Sequence, residues 1–328
     1  MAVKNLIITG ASGMLGANIA AAACEDPSWD SIVGLYRNPA QLAVVERAFA
    51  GLSGSPEKAR EWMKRVEWRS VDLEDFVSVE EALLGGTHII HAAALLSFDP
   101  RKASAMLKSN PRMTELVFNQ ALAQGMVGGV HISSTSVLAD KPERSLYGHS
   151  KARAEAEALR VDAEGLPIAV IRPSIILGAP HWSEGSSLLV KTAAKGLIVA
   201  SPGSTGFVDV RDVAAAALGL LDRLDSTAGH CYTAVGSNKT FLEVFQDIAR
   251  VFGQKGPTWV APAALLRMTG IIEGWVALVT GHTPRLSKDS VRSAVHRVSY
   301  DGSELLQVLS PWKTTEWKET LASLKRMG

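Results

Sequence analysis

Glycines 10, 13 and 16, set directly after an apolar run, constrain this chain more than any other feature. The run Asn5–Thr9 reads as a strand and Met14–Cys24 as the helix that follows, with Thr9-Gly10-Ala11-Ser12-Gly13-Met14-Leu15-Gly16 between and across them. Gly10 permits the tight turn, Gly13 lets a pyrophosphate approach the backbone, and Gly16 lets the helix pack closely on the strand. The helix start offers unpaired N–H groups and a positive dipole end to phosphates. Two residues separate each glycine pair here, whereas the standard dinucleotide fingerprint has one between the first pair. The plainer reading is a βα turn that needs small residues.

The rest of the first half repeats this strand-then-helix rhythm. Ser31–Tyr36, Val66–Val71, His88–Ala92, Gly129–Ser133 and Pro167–Arg172 read as further strands, with helices over Val77–Leu84, Met113–Gln124 and Ser150–Val161. Gly51–Pro56 reads as a surface loop. Such alternation predicts an α/β fold, a doubly wound parallel sheet covered on both faces. After Pro173 the rhythm changes to helix patterns at Val208–Leu221, Thr240–Phe252 and Thr314–Arg326, among Pro and Gly turns. We therefore expect a dinucleotide-binding unit over residues 1–173, with 207–235 returning to it, and a smaller, mostly helical substrate lobe over 174–328.

Composition excludes several functions. The net charge of +1 argues against a nucleic-acid binder. Cys24 and Cys231 lack metal-ligand spacing, so neither a metal site nor a disulfide framework is expected, and two free thiols fit the cytoplasm. No secretory signal is visible. The most membrane-like stretch, Val260–Gly281, carries Pro262, Arg267 and Glu273, which makes a buried or pocket-lining helix the better reading than a span.

Tyr147 and Lys151 stand four apart, on one face of a helix. There an ammonium can depress the phenol's pKa and ready it for acid–base work on a carbonyl or alcohol. The second strand ends Tyr36-Arg37-Asn38-Pro39 with no acid to take a ribose 2′-hydroxyl, and Arg37 suits a 2′-phosphate, so NADP is expected over NAD unless Arg37 is only a solvated cation. Arg69 is a second cation near the same edge. Asp72, followed by Leu73, reads either as an adenine contact or as the cap of the next helix. Ala92, Ala93 and Ala94 leave room for a ribose or nicotinamide, or simply pack closely.

Together these residues resemble the extended short-chain dehydrogenase/reductase family over Asn5 to Val213. The matching pieces are TGASGMLG, HAAA at His91–Ala94, ISST at Ile132–Thr135, YGHSK at Tyr147–Lys151, IRPSIILG at Ile171–Gly178 and FVDVRDVA at Phe207–Ala214. YRNP at Tyr36–Pro39 resembles the NADP-linked dihydroflavonol and ketone reductase branch. The resemblance implies that Tyr147 is the proton donor, that Lys151 holds the nicotinamide ribose and lowers the pKa of Tyr147, and that Ser134 bonds the reacting oxygen. Thr135 and Ser136 are the other hydroxyls open to that last role. The resemblance further implies the family's helix asparagine at Asn110, a nicotinamide-facing strip over Pro173, Ser174, Ile175 and Ile176, and a homodimer through the helices Met113–Gln124 and Ser150–Val161. Only twelve residues separate Ser134 from Tyr147, shorter than is common in the family, which predicts an open entrance.

Leu95, Leu96, Phe98, Thr135, His181, Trp182, Leu188, Leu189, Trp259, Leu265, Met268, Ile272 and Trp275 could line an apolar or aromatic substrate site, or be lobe core. The expected activity is NADPH-linked reduction of a small-molecule ketone or aldehyde. A nucleotide-sugar epimerase or dehydratase with bound NAD and a non-catalytic dinucleotide sensor are the rivals. A sensor commonly lacks the Tyr–Lys pair that this chain keeps.

Overall fold

The computed structural model describes residues 3–96, 103–140, 144–178, 186–266, 268 and 288–326. The chain opens with β1 (Asn5–Thr9), α1 (Met14–Glu25), β2 (Ser31–Tyr36), α2 (Leu42–Ser53), α3 (Pro56–Arg65), β3 (Val66–Ser70) and α4 (Phe76–Ala82). Next come β4 (His88–His91), α5 (Ala103–Ala123), β5 (Gly128–Ile132), α6 (Leu146–Ala163) and β6 (Ile168–Pro173). The remainder includes β7 (Ile175–Leu177), α7 (Ser186–Ala193), β8 (Val199–Ala200), β9 (Ser204–Asp209), α8 (Val210–Leu221), α9 (Leu224–Thr227), β10 (Cys231–Ala234), β11 (Ser237–Thr240), α10 (Phe241–Val251) and β12 (Trp259–Val260).

Seven parallel strands form the main sheet in the order β10-β6-β5-β4-β1-β2-β3. Chain direction across the sheet reverses between β1 and β4, so a crevice opens at their carboxyl ends, where ligands of doubly wound sheets bind. Strands covered on both faces read as continuous apolar runs, and Leu6, Ile7, Ile8, Ile89 and Ile90 are fully buried. One face packs on α1, α2, α3 and α8 through Ile19, Phe49, Trp62, Val213 and Leu220. The other packs on α5 and α6 through Leu116, Phe118, Ala158 and Val161. A separate core of Leu177, Val190, Phe207, Phe241, Val244 and Leu324 joins β7, β9, α7, α10 and the terminal helix Trp317–Arg326.

Three expectations change. Gly51–Pro56 is not a loop: α2 reaches Ser53, Gly54 turns the chain with φ of 69°, and Ser55 caps α3 by accepting from Lys58 N–H. The helix expected from Met113 begins at Ala103 and runs through Pro111. Interior proline costs helix stability, but the segment before it is anchored by buried Met106 and Asn110. The pattern over Val208–Leu221 divides at Asp209, whose side chain accepts from Arg211 N–H and caps α8. Among the described residues no helix is long and apolar enough to cross a membrane; residues 267 and 269–281 of the stretch Val260–Gly281 lie outside them.

Candidate active site

Gly10 has φ of 67°, and a Cβ there would stand 2.8 Å from the Ala93 Cα. The backbones after β1 and β4 therefore meet edge to edge, as a cradle requires. A Cβ on Gly16 would collide with the Gly10 carbonyl oxygen. Gly13 caps α1 without any side-chain bond, and the first turn of α1 holds no acid. Those free N–H groups suit a pyrophosphate and nothing on the helix competes with it. Ser12 Oγ donates to Gln41 Oε1 at 2.8 Å, which ties the glycine turn to the segment after β2. The Met14 sulfur accepts from Ser187 Oγ on α7, while Leu15 packs on the sheet core.

At the end of β2, Arg37 is exposed. Arg69 is not available in the same way. Its guanidinium pairs with Glu67 and donates to the carbonyls of Ala82 and Leu84 at the end of α4. Asp72 is exposed and accepts from Glu74 N–H at 3.0 Å, whereas the cap of α4 is Asp75. The capping alternative for Asp72 thus falls to its neighbour. Leu73 is buried in the sheet core. Ala92 and Ala93 are partly buried, Ala94 is exposed, and Ala93 N–H donates to Thr9 Oγ1.

The hydroxyl group at the end of β5 belongs to a 3-10 turn over Thr135–Leu138, with Ser134 as its cap. Ser134 Oγ accepts from Ser136 N–H at 3.1 Å and from Ser136 Oγ at 3.0 Å, and it hydrogen-bonds the Tyr147 hydroxyl. Thr135 is buried. Ser134 is therefore the member of the run that meets Tyr147. Ser145 caps α6 by accepting from Gly148 N–H. Gly148 packs where a Cβ would lie 2.6 Å from the Ser136 carbonyl, so the first turn of α6 lies directly on the serine turn. Arg144 holds the connecting loop through the Val137 and Ala139 carbonyls.

The electrostatics differ from the expectation. Burial pushes the Tyr147 phenol up to about 12, with only the Ser134 hydrogen bond acting downward. Lys151 does not depress it, because its ammonium is turned to the Ile132 carbonyl at 2.6 Å. Burial lowers Lys151 itself to about 8, against the upward pull of Glu155. Asn110 is buried and its side chain is engaged within the protein. Its Oδ1 accepts from Leu95 N–H at 2.7 Å, and its Nδ2 donates to the Leu95 carbonyl and to Ser150 Oγ. Ser150 Oγ in turn donates to the Tyr147 carbonyl. Asn110 fixes the loop after β4 to the helix that carries Tyr147.

Pro173 and Ser174 are buried, Ile175 and Ile176 partly so. The Ser174 hydroxyl has no hydrogen-bond partner. Leu95 is partly buried, and Leu189 packs in the second core. Leu188, Trp259, Leu265 and Met268 are exposed rather than core. Phe98, His181, Trp182, Ile272 and Trp275 lie outside the described residues.

Sequence reasoning missed a buried polar layer beneath this site. His91 Nε2 faces Thr114 Oγ1, which already donates to the Asn110 carbonyl, so the ring must donate there. Its Nδ1 then accepts from Thr9 Oγ1 at 2.7 Å, and the network assigns a neutral ring. His131 stacks on it at 5.5 Å between centroids, and neither of its ring nitrogens has a partner. Burial and the nearby Lys151 hold His91 down at about 3 and His131 well below the usual range. Buried Glu155 and Ser133 form a second polar group with the partly buried Arg172. A charged residue inside the apolar run Ile168–Pro173 was the available signal for it.

The family model for the NAD dependent epimerase/dehydratase family matches residues 6–234. Sterol demethylase protein B of Methylococcus capsulatus is 24% identical over 306 residues, 87% of each chain. The terminal R domain from the myxalamid PKS-NRPS biosynthetic pathway superposes with a TM-score of 0.75 at 18% identity, over 100% of this chain and 90% of that one. UDP-glucose 4-epimerase from Bifidobacterium longum, solved with NAD+ and UDP, gives 0.70 at 16% identity, over 99% and 97%.

Proposed function

Because the chain belongs to the NAD dependent epimerase/dehydratase family, within the extended short-chain dehydrogenases/reductases and their NAD(P) chemistry, we propose that it is an NADP(H)-dependent reductase of ketones or aldehydes. Exposed Arg37 at the end of β2, with no acid beside it, is the observation that carries the cofactor choice. The cradle residues Gly10, Ser12, Gly13, Met14, Leu15 and Gly16 would hold the pyrophosphate. Asp72 and Leu73 would lie along the adenine, and Ala92–Ala94 and Pro173–Ile176 along the nicotinamide half. A bound nicotinamide supplies the hydride. Ser134 and Tyr147 would hold the carbonyl oxygen, and Tyr147, protonated at neutral pH because its phenol titrates near 12, would give it a proton. Two preorganised hydroxyls aimed at a developing oxyanion lower the barrier to its formation.

Exposed Leu138 and Leu146 at either end of the short loop support an apolar, open entrance. The likeness to a sterol demethylase protein supports a lipophilic carbonyl compound as substrate. We assign the subunit contact of a homodimer to the α5 and α6 pair. The family's name and the fold shared with NAD-bound epimerases favour a second reading, an epimerase or dehydratase that takes hydride from a nucleotide sugar and returns it.

Arg37→Ala separates the two. Losing a charge-assisted contact to the 2′-phosphate costs about 1.5–3 kcal/mol, roughly 10- to 100-fold in NADPH affinity, with NADH affinity unchanged. Equal affinity of the parent protein for NADPH and NADH, untouched by the substitution, would remove the case for NADP and favour the epimerase reading.

A further inference from the structure

One turn beyond Lys151, α6 carries a carboxylate that the chemistry above does not use. Glu155 is 6% exposed. It accepts from Ser133 Oγ at 2.6 Å, from Arg172 Nε at 3.0 Å and from Arg172 Nη2. Ser133 directly precedes Ser134, and Arg172 directly precedes Pro173. Lys151 and Tyr147 lie one and two turns earlier on the helix of Glu155 itself. The clamp therefore joins the three elements that present the site: the end of β5, the end of β6 and the inner face of α6.

A buried ion pair is a weak source of stability, because desolvation offsets most of the attraction. A two-point guanidinium–carboxylate contact does fix geometry. Charge matters here as well. The Lys151 ammonium lies near His91 and His131, both held neutral by burial, and donates to the Ile132 carbonyl. Arg172 is the cation on the β6 side, already engaged by Glu155. Glu155 is the anion that acts on Lys151.

We propose that Glu155 is a positioning residue: clamped by Ser133 and Arg172, it locks α6 to the ends of β5 and β6 and keeps a negative charge one turn behind the Lys151 ammonium, so that Ser134, Tyr147 and Lys151 meet the dinucleotide as one unit. This rests on the dinucleotide reading of the site and holds for NADP or NAD. A clamp that only stabilises the fold would lower thermal stability without altering how Lys151 titrates.

Glu155→Gln keeps the shape and removes the charge. Glu155→Gln/Arg172→Met removes both charges together and serves if the single variant fails to fold. NADPH and NADH binding, followed by their fluorescence from about pH 6 to about pH 10, reads the titration of Lys151, and the thermal midpoint reads stability. We expect the alkaline loss of binding to move down by about one pH unit in Glu155→Gln, a tenfold loss of affinity at a fixed alkaline pH, and in the same direction by less in the double variant, which also loses the Arg172 cation. An unmoved alkaline limb beside normal parental binding overturns the positioning role alone, whatever the thermal midpoint does. A parent protein that binds neither NADPH nor NADH overturns the dinucleotide reading and this inference with it.

Discussion

Tyr147→Phe should bind NADPH as the parent protein does and reduce carbonyl substrates about 10²–10⁴-fold more slowly, the usual worth of a positioned acid. The substitution removes the hydroxyl that meets Ser134 and leaves the ring to fill the same partly buried space. Steady-state turnover at saturating NADPH, together with NADPH titration, checks it; undiminished turnover would contradict the assignment of Tyr147. The raised phenol also bears on direction. A group that holds its proton to about 12 is an acid at neutral pH, which suits delivery of a proton to a carbonyl. Oxidation of an alcohol needs the phenolate and should rise toward alkaline pH.

The second large effect is acid lability. His91 and His131 are held neutral by burial. Unfolded, both would take a proton near pH 6.5. The unfolded state then binds more protons than the folded one, so stability present above about pH 6.5 is lost as pH falls toward the folded values. Each ring contributes a slope of about 1.4 kcal/mol per pH unit, so the pair gives about 2.7. Between about pH 6.5 and about pH 5.5 most carboxylates have not begun to titrate, so the histidines dominate that window. His88, also lowered by burial, adds in the same direction. His131→Leu should remove one of the two slopes. It should not lower stability at neutral pH, because it deletes a buried ring whose nitrogens have no partners. Urea unfolding at several pH values measures this; an identical pH dependence in the variant would contradict it.

What could be read from the sequence follows the strength of each local signal. Asn5–Thr9 and Ser31–Tyr36 match their strands residue for residue, because a short apolar run closed by glycine or an Arg-Asn-Pro turn leaves little latitude. Ser134 and Tyr147 hydrogen-bond each other, and the glycine turn lies against the backbone after β4. Elsewhere tertiary packing overrode a local rule. Pro111 marks a boundary by propensity, yet α5 passes through it against α6. Helical spacing alone suggested that Lys151 faces Tyr147. The structure turns it to the Ile132 carbonyl, 19 residues earlier at the end of β5, a partner that no helical spacing contains. Asn110 could be picked out by residue type and place, but its three bonds to Leu95 and Ser150 depend on tertiary packing. Glu155, four residues after Lys151, was visible as a charge yet gained meaning only when β6 brought Arg172 beside it.

In net reduction the dinucleotide leaves oxidised. Incubating the protein with NADPH and a panel of lipophilic ketones and aldehydes, then quantifying NADP+ and alcohol together, tests it most directly. NADP+ and alcohol should rise in equal amounts with at least one member of the panel. NADPH unconsumed across the panel, with a nucleotide sugar isomerised or dehydrated in the presence of NAD and the dinucleotide recovered unchanged, would contradict it.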